Sequence, residues 1–218
     1  MFLVKSIFHT LQGEGPFVGR PAVFIRFGSC NLACPQCDTD FKSGAQPISL
    51  RDLVRTVIPT ARTSRRRYSM VVLTGGEPFQ QPELGNLVDS LCFAEGLDVQ
   101  IETNGTLFLP LHFGMSNLHV VCSPKAPKIH PKLEPYVTAY KYLISAGEVA
   151  PDGLPTTCFG GMPGTPARPQ NGKAEVYLQP VDTGDHIRNQ SNLAAALASC
   201  FRHGYRLCLQ LHKILGLE

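Results

Sequence analysis

No stretch of this 218-residue sequence comes near the roughly 20 consecutive apolar residues that a membrane-spanning helix needs. At the start, Met1 to Val4 are apolar, but Lys5 follows, which makes too short a run for the core of a secretory signal. These two absences lead us to expect a cytoplasmic protein with no membrane partner. An excess of charge is also missing, since the formal net charge is only +3. The one basic cluster, Arg62 to Arg67, has no aromatic residues between its arginines, so it reads as a solvated loop and no nucleic-acid partner is expected. Internal repeats and a second compositional block are lacking too. Residues 1–218 therefore read as one domain, long enough for one sizeable core.

What is present is cysteine. Eight of them in a chain expected to stay in reducing surroundings argue against a disulfide framework. Five (Cys92, Cys122, Cys158, Cys200, Cys208) are scattered and read as small buried hydrophobes. The other three, Cys30, Cys34 and Cys37, form a C-x3-C-x2-C bunch in GSCNLACPQCDT. Three thiolates on one loop suit a [4Fe-4S] cluster with one iron left open. A structural zinc site wants four ligands, and no second C-x2-C pair occurs, although a distant Cys or His could complete one. A non-catalytic zinc or iron-sulfur module therefore stays open beside a cluster enzyme.

Around this loop the chain alternates between two periodicities. Helices are expected from Leu50, capped by Ser49 and Asp52 and ended by Pro59, from Pro82 to Gly96, and from Ile187 to His203 before Gly204. Strands are expected at 22–27, 70–75, 97–103, 118–123, 139–145, 174–180 and 205–211. Several are apolar throughout, as strands covered on both faces are. Three helices for about seven strands favour an α/β fold built as an incomplete parallel barrel. Residues 146–173 are dense in Gly and Pro, without periodicity, and read as a loop insertion on the surface.

Polar groups cluster where the strands end. The cysteine loop follows 22–27, Thr74-Gly75-Gly76-Glu77-Pro78 ends the next strand, Glu102-Thr103-Asn104-Gly105 the third, and Ser123-Pro124-Lys125 the fourth. Each alone could be turn chemistry. Four together, one bearing a thiolate triad, mark the active rim of a parallel barrel.

The C-x3-C-x2-C spacing followed by GGEP resembles the radical S-adenosylmethionine (SAM) superfamily. LQGEGPFVGRPAVFIRFGSCN, CDT, TGGEP, ETNG, SPK, LQP and the terminal LQLHKILGLE further resemble the 7-carboxy-7-deazaguanine synthase (QueE) family, over nearly the whole chain. A glycyl-radical-enzyme activase shares the cysteine spacing but has no use for LQGEG or the HK tail. The resemblance implies a barrel of about β6/α3 and a radical SAM enzyme with a [4Fe-4S] cluster on Cys30, Cys34 and Cys37, with SAM and Mg²⁺ as further cofactors. It also implies an electron donor such as flavodoxin and a homodimer. The reaction implied converts 6-carboxy-5,6,7,8-tetrahydropterin to 7-carboxy-7-deazaguanine, with ring contraction and loss of ammonia, in 7-deazapurine (queuosine) biosynthesis.

Position by position, the resemblance places the pterin against Leu11, Gln12, Gly13 and Glu14, against Thr74 and His212, and against the terminal Glu218. Arg26 is assigned the substrate carboxylate and Thr39 the Mg²⁺. Gly76, Glu77, Ser123, Pro124, Lys125 and Gln179, Pro180, Val181 and Asp182 are assigned to SAM, with Glu77 holding its amino group. Two positions depart from the pattern: Gln36 stands where an aromatic residue is usual, and the chain ends in Glu218 rather than a small apolar residue.

Overall fold

A computed structural model describes residues 1–34, 37, 39–61, 70–158, 164–170 and 172–217. The basic cluster at 62–67, Gln36 and Glu218 lie outside the described residues.

Among the described residues, nine strands form one sheet. In chain order they are β1 (Phe2–Leu11), β2 (Pro21–Phe27), β3 (Gln46–Ile48), β4 (Met70–Gly75), β5 (Asp98–Thr103), β6 (Leu118–Cys122), β7 (Ala139–Ile144), β8 (Glu175–Pro180) and β9 (Arg206–Leu207). Their spatial order is β3-β1-β2-β4-β5-β6-β7-β8-β9. From β2 onward every pairing is parallel, whereas β1 runs antiparallel to both β2 and β3. The sheet is open, ending on β3 and β9, so the barrel is incomplete. Six parallel strands of five to seven residues and three long crossover helices make it the β6/α3 kind.

The helices are α1 (Leu50–Ala61), α2 (Leu84–Asp89, continuing as a wider turn over Ser90–Ala94), α3 (His186–His203) and the short α4 (Leu211–Ile214). Among the described residues no helix is long and apolar enough to cross a membrane. Ser49 caps α1 as the sequence suggests, its hydroxyl accepting the Asp52 N–H at 3.1 Å and donating to the Asp52 carboxylate at 2.7 Å. Pro59 does not stop α1, which runs two residues further. A proline's fixed φ is helical, so near a C-terminus only one backbone bond is lost. Asp185 caps α3 by accepting the Arg188 N–H at 2.9 Å, and Gly204, at φ 73°, closes it in the left-handed region.

Alternation decides which residues face the site. On β2, Val23, Ile25 and Phe27 join the main core with the buried stripes of α1 and α2, while Phe24 and Arg26 look toward the barrel's interior cavity. On β7, Tyr140 and Tyr142 pack into the main core, and Lys141 and Leu143 line that cavity. Where crossover helices are missing, loop residues such as Phe108, Phe113, Ile129 and Leu133 cover the sheet instead.

Two sequence expectations change here. The 205–211 run pairs only at Arg206–Leu207, then folds back, with the Leu211 N–H donating to the Gly13 carbonyl at 3.0 Å to begin α4. The described part of 146–173 is packed against the body rather than held off it. Leu154 and Cys158 are buried, the Tyr142 hydroxyl donates to the Ala167 carbonyl at 2.6 Å, and Arg168 pairs with Asp152 at 2.8 Å.

Candidate active site

Backbone bonds bolt the cysteine loop to the glycine turn after β4. The Gly76 N–H donates to the Phe27 carbonyl at 3.0 Å, and the Glu77 N–H to the Ser29 carbonyl at 2.7 Å. Only glycine fits there. A Cβ on Gly76 would overlap the Ser29 carbonyl, and Gly75, at φ 112°, lies against the Phe27 backbone. Gln81 adds a side-chain bond to the Ser29 hydroxyl at 2.8 Å. The start of the cysteine loop is thus fixed by β4.

Cys30, Cys34 and Cys37 all line one cavity of about 330 Å³ at the C-terminal ends of the parallel strands. None of the eight cysteines is in a disulfide. Burial pushes the Cys30 and Cys34 thiols up from their ordinary values, with the nearby Lys125 ammonium opposing this at Cys34. Among the described residues no three His, Cys, Asp or Glu side chains are grouped to hold a single ion.

Glu77 departs from its expected role. It is fully buried, and its carboxylate accepts the Thr103 hydroxyl and the Asn104 N–H, each at 2.8 Å, and the Phe79 N–H at 3.1 Å. Because its backbone is pinned to Ser29, the side chain turns toward the β5 turn and braces it rather than reaching the cavity. Burial raises its pKa to about 7 against the pull of those three donors. In the native state it therefore holds a proton that the unfolded chain gives up near 4.5, so its linkage lowers stability as pH rises from about 4.5 to 7. We expect Glu77→Gln to flatten this slope, by on the order of 3 kcal/mol at most. Denaturant unfolding of the apoprotein across that window measures it, and an unchanged slope would contradict it.

Deeper in the cavity sits a polar set from distant parts of the chain. Lys141 forms an ion pair with Glu14 and a second with Glu102 at 3.0 Å. The Gln210 amide donates to Glu14 at 2.9 Å, and the Gln100 amide donates to Glu102. Burial works against the charge on Glu14, but Lys141 and Gln210 outweigh it and hold its pKa down to about 2. For Lys141, burial is likewise outweighed by Glu102 and Glu14, so its ammonium is held well above the usual range. Elsewhere on the cavity wall, the Arg26 guanidinium lies over the Phe8 ring at 5.3 Å, and its Nε is buried with no hydrogen-bond partner. A buried guanidinium nitrogen left unsatisfied is a site waiting for an acceptor.

Of the residues singled out from sequence, the cavity brings together the three cysteines with Leu11, Gln12, Glu14, Arg26, Thr39, Thr74, Gly76, Ser123, Lys125, Gln179 and His212. His212 arrives on α4 rather than on a last strand, and Gly13 leaves it room, since a Cβ there would overlap its ring. Pro124, Pro180, Val181 and Asp182 do not line the cavity. Asp182 instead pairs with Lys213 at 3.0 Å and accepts from Asn189 at 2.7 Å. Lys141 and Gln210 line the cavity without having been singled out, and Glu102 and Asn104, read from sequence only as part of the strand-end rim, line it too. One signal could have found Lys141: a lysine inside an otherwise apolar strand must be paired.

Comparison with known proteins agrees with this geometry. The Radical SAM superfamily profile matches residues 24–113, from β2 to beyond β5. The 7-carboxy-7-deazaguanine synthase of Rhodospirillum rubrum is 48% identical over 97% of this chain and 91% of its own. The chain belongs to the 7-carboxy-7-deazaguanine synthase family. The Rickettsia prowazekii member is 38% identical over 99% of this chain and 88% of its own. The crystal structure of QueE from Escherichia coli superposes with a TM-score of 0.69 at 22% identity, covering 97% and 94% of the two chains, and so shares the fold. As a 7-carboxy-7-deazaguanine synthase family member the protein is a radical SAM enzyme, and that superfamily carries a [4Fe-4S] cluster and SAM. The residues fit both groups. Three sulfur donors on one loop line a single cavity, and glycine backbone and Lys125 line it with them.

Proposed function

We propose that this enzyme converts 6-carboxy-5,6,7,8-tetrahydropterin to 7-carboxy-7-deazaguanine, with ring contraction and loss of ammonia. The observation that carries the reading is the polarity of one cavity. It has a guanidinium with an unpartnered Nε on one wall, two lysine-paired carboxylates on another, and three thiols in its lining. A heterocycle with a carboxylate at one end and N–H donors at the other suits such a cavity.

When bound, the cluster and SAM supply the hydrogen-atom abstraction that starts the rearrangement. The chain's own residues bind, orient and keep out water. Arg26 takes the substrate carboxylate through its planar donor fork. Glu14, with Glu102 beside it, accepts N–H donors of the ring, while Gln12, Thr74 and His212 enclose it. Phe8, Phe24 and Leu143 supply apolar wall that excludes solvent. Gly76, Ser123, Lys125 and Gln179 face SAM, and Glu77, Pro124 and the Pro180–Asp182 turn support those residues from behind. Thr39 gives a hydroxyl to Mg²⁺, a hard cation that completes its shell with substrate and water oxygens. A cytoplasmic homodimer of single-domain chains, reduced by a donor such as flavodoxin, belongs to the same reading, which rests on the family resemblance.

The test is an anaerobic incubation of reconstituted enzyme with the carboxytetrahydropterin, SAM, Mg²⁺ and a reductant, read by mass. Formation of 7-carboxy-7-deazaguanine with release of ammonia is expected. Cleavage of SAM with the pterin unchanged would overturn the assignment.

A further inference from the structure

Lys141 has no part in the roles assigned so far, yet it is the most deeply enclosed cation in the cavity. Its flanking residues Tyr140 and Tyr142 point to the opposite face of β7 and are at most 1% exposed, so the sheet fixes the lysine's direction. It is itself only 8% exposed. Its ammonium bridges Glu14, from the turn after β1, and Glu102, at the end of β5. Each carboxylate has a further tether: Gln210 holds Glu14 at 2.9 Å, while Gln100 and, at 3.5 Å, Gln12 hold Glu102. The Glu14 backbone is held as well, its N–H donating to Gln12 at 3.1 Å.

We propose that Lys141 is a positioning residue that keeps Glu14 and Glu102 side by side as paired acceptors, so that this wall selects a ligand edge with several N–H donors. The proposal rests on the functional reading above and names the recognition device within it.

The charges do not cancel. Two carboxylates share one ammonium, and a carboxylate pair offers more acceptor sites than one lysine and three amides use. Free lone pairs therefore remain on a wall of net negative charge, which suits an amidine- or guanidine-like edge and disfavours a carbonyl in its place. The other titratable groups facing this set are Cys208, whose thiol burial pushes up to about 11, and His212, whose charge lowers the Glu14 pKa further. Cys208 cannot stand in for the lysine, since a thiol neutral near pH 7 brings no positive charge, and it is the Lys141 ammonium that contacts both carboxylates. Without Lys141, two carboxylates in a desolvated cavity would repel each other, and one would take up a proton. A protonated carboxyl donates where the ligand also donates, and selectivity is lost.

The experiment is a pH profile of reconstituted holoenzyme carrying Lys141→Met or Lys141→Arg. For the wild type, KM for the carboxytetrahydropterin stays flat across about pH 6 to 9. Lys141→Met raises it roughly thirtyfold near pH 7, with the defect shrinking as pH rises, while SAM affinity is unchanged. Lys141→Arg restores KM to within about threefold. An infrared difference spectrum between Lys141→Met and wild type needs no substrate; the Glu77 carboxyl, common to both, cancels, and an additional protonated-carboxyl carbonyl stretch appears in the variant. A flat profile in Lys141→Met, equal damage from Met and Arg, or no additional protonated carboxyl would overturn the proposal. Should Lys141→Met fail to fold, the Lys141→Met/Glu102→Gln pair removes one charge of each sign. It is expected to fold and bind the pterin weakly at every pH, and wild-type binding by it would sink the idea. Failure of the functional reading looks different, because the wild type itself would then form no 7-carboxy-7-deazaguanine.

Discussion

Alanine at Cys34 is expected to abolish reductive cleavage of SAM while leaving the fold intact. Cys34 lies on a loop after β2, outside every helix and strand, and belongs to no hydrophobic cluster. Loss of its side chain removes little packing, so the apoprotein should keep its stability within about 0.5 kcal/mol, as for an ordinary surface change. The iron site does not survive the same change. Two thiolates on a short loop cannot fix a cubane, and losing a direct ligand costs more than the ten- to hundredfold seen when a supporting partner is lost. We expect 5′-deoxyadenosine formation to fall by roughly a thousandfold or more. Cleavage at near wild-type rate in the variant would show that the triad does not hold the cluster.

Alanine at Arg26 separates substrate from cofactor. Arg26 lies beside Thr74 in the register of β2 and β4, and its guanidinium sits over Phe8, so its position is set before any ligand arrives. A charged hydrogen bond contributes about 1.5–3 kcal/mol, which makes loss of the fork worth roughly a hundredfold in pterin affinity. SAM affinity should not move, because the role proposed for Arg26 is toward the pterin carboxylate alone. Lysine should rescue poorly, since a point charge lacks the planar fork. Titration of both ligands by calorimetry decides it. Parallel loss of SAM and pterin binding would mean that Arg26 holds up the whole cavity.

Much of this architecture was legible in the sequence because it is local. Ser49 and Asp52 sit three residues apart and cap α1 as their spacing says. The parallel strands are covered on both faces and so read as apolar runs. β1 escaped because Ser6, His9 and Thr10 break its apolar pattern, and only pairing with β2 and β3 makes it a strand. β9 is short because Leu211 is claimed by the Gly13 carbonyl, a contact no local pattern announces.

The site divides the same way. Thiols and glycines that lie close together in sequence could be read as one loop and one turn. The Lys141 pairs reach across 127 and 39 residues, to Glu14 and Glu102, so the fold alone brings them together. Glu77 shows the converse case. Its motif was plain, but the bond from its N–H to the Ser29 carbonyl turns the carboxylate inward. A motif names the residues, and the backbone decides which way they face.

The most direct measurement is a metal count and electron paramagnetic resonance spectrum of the protein after anaerobic reconstitution with iron and sulfide, recorded reduced, with and without SAM. Three loop thiolates and an open coordination position predict about four irons per chain and a reduced-cluster signal that changes when SAM is added. One zinc per chain, or a cluster signal indifferent to SAM, would contradict the account.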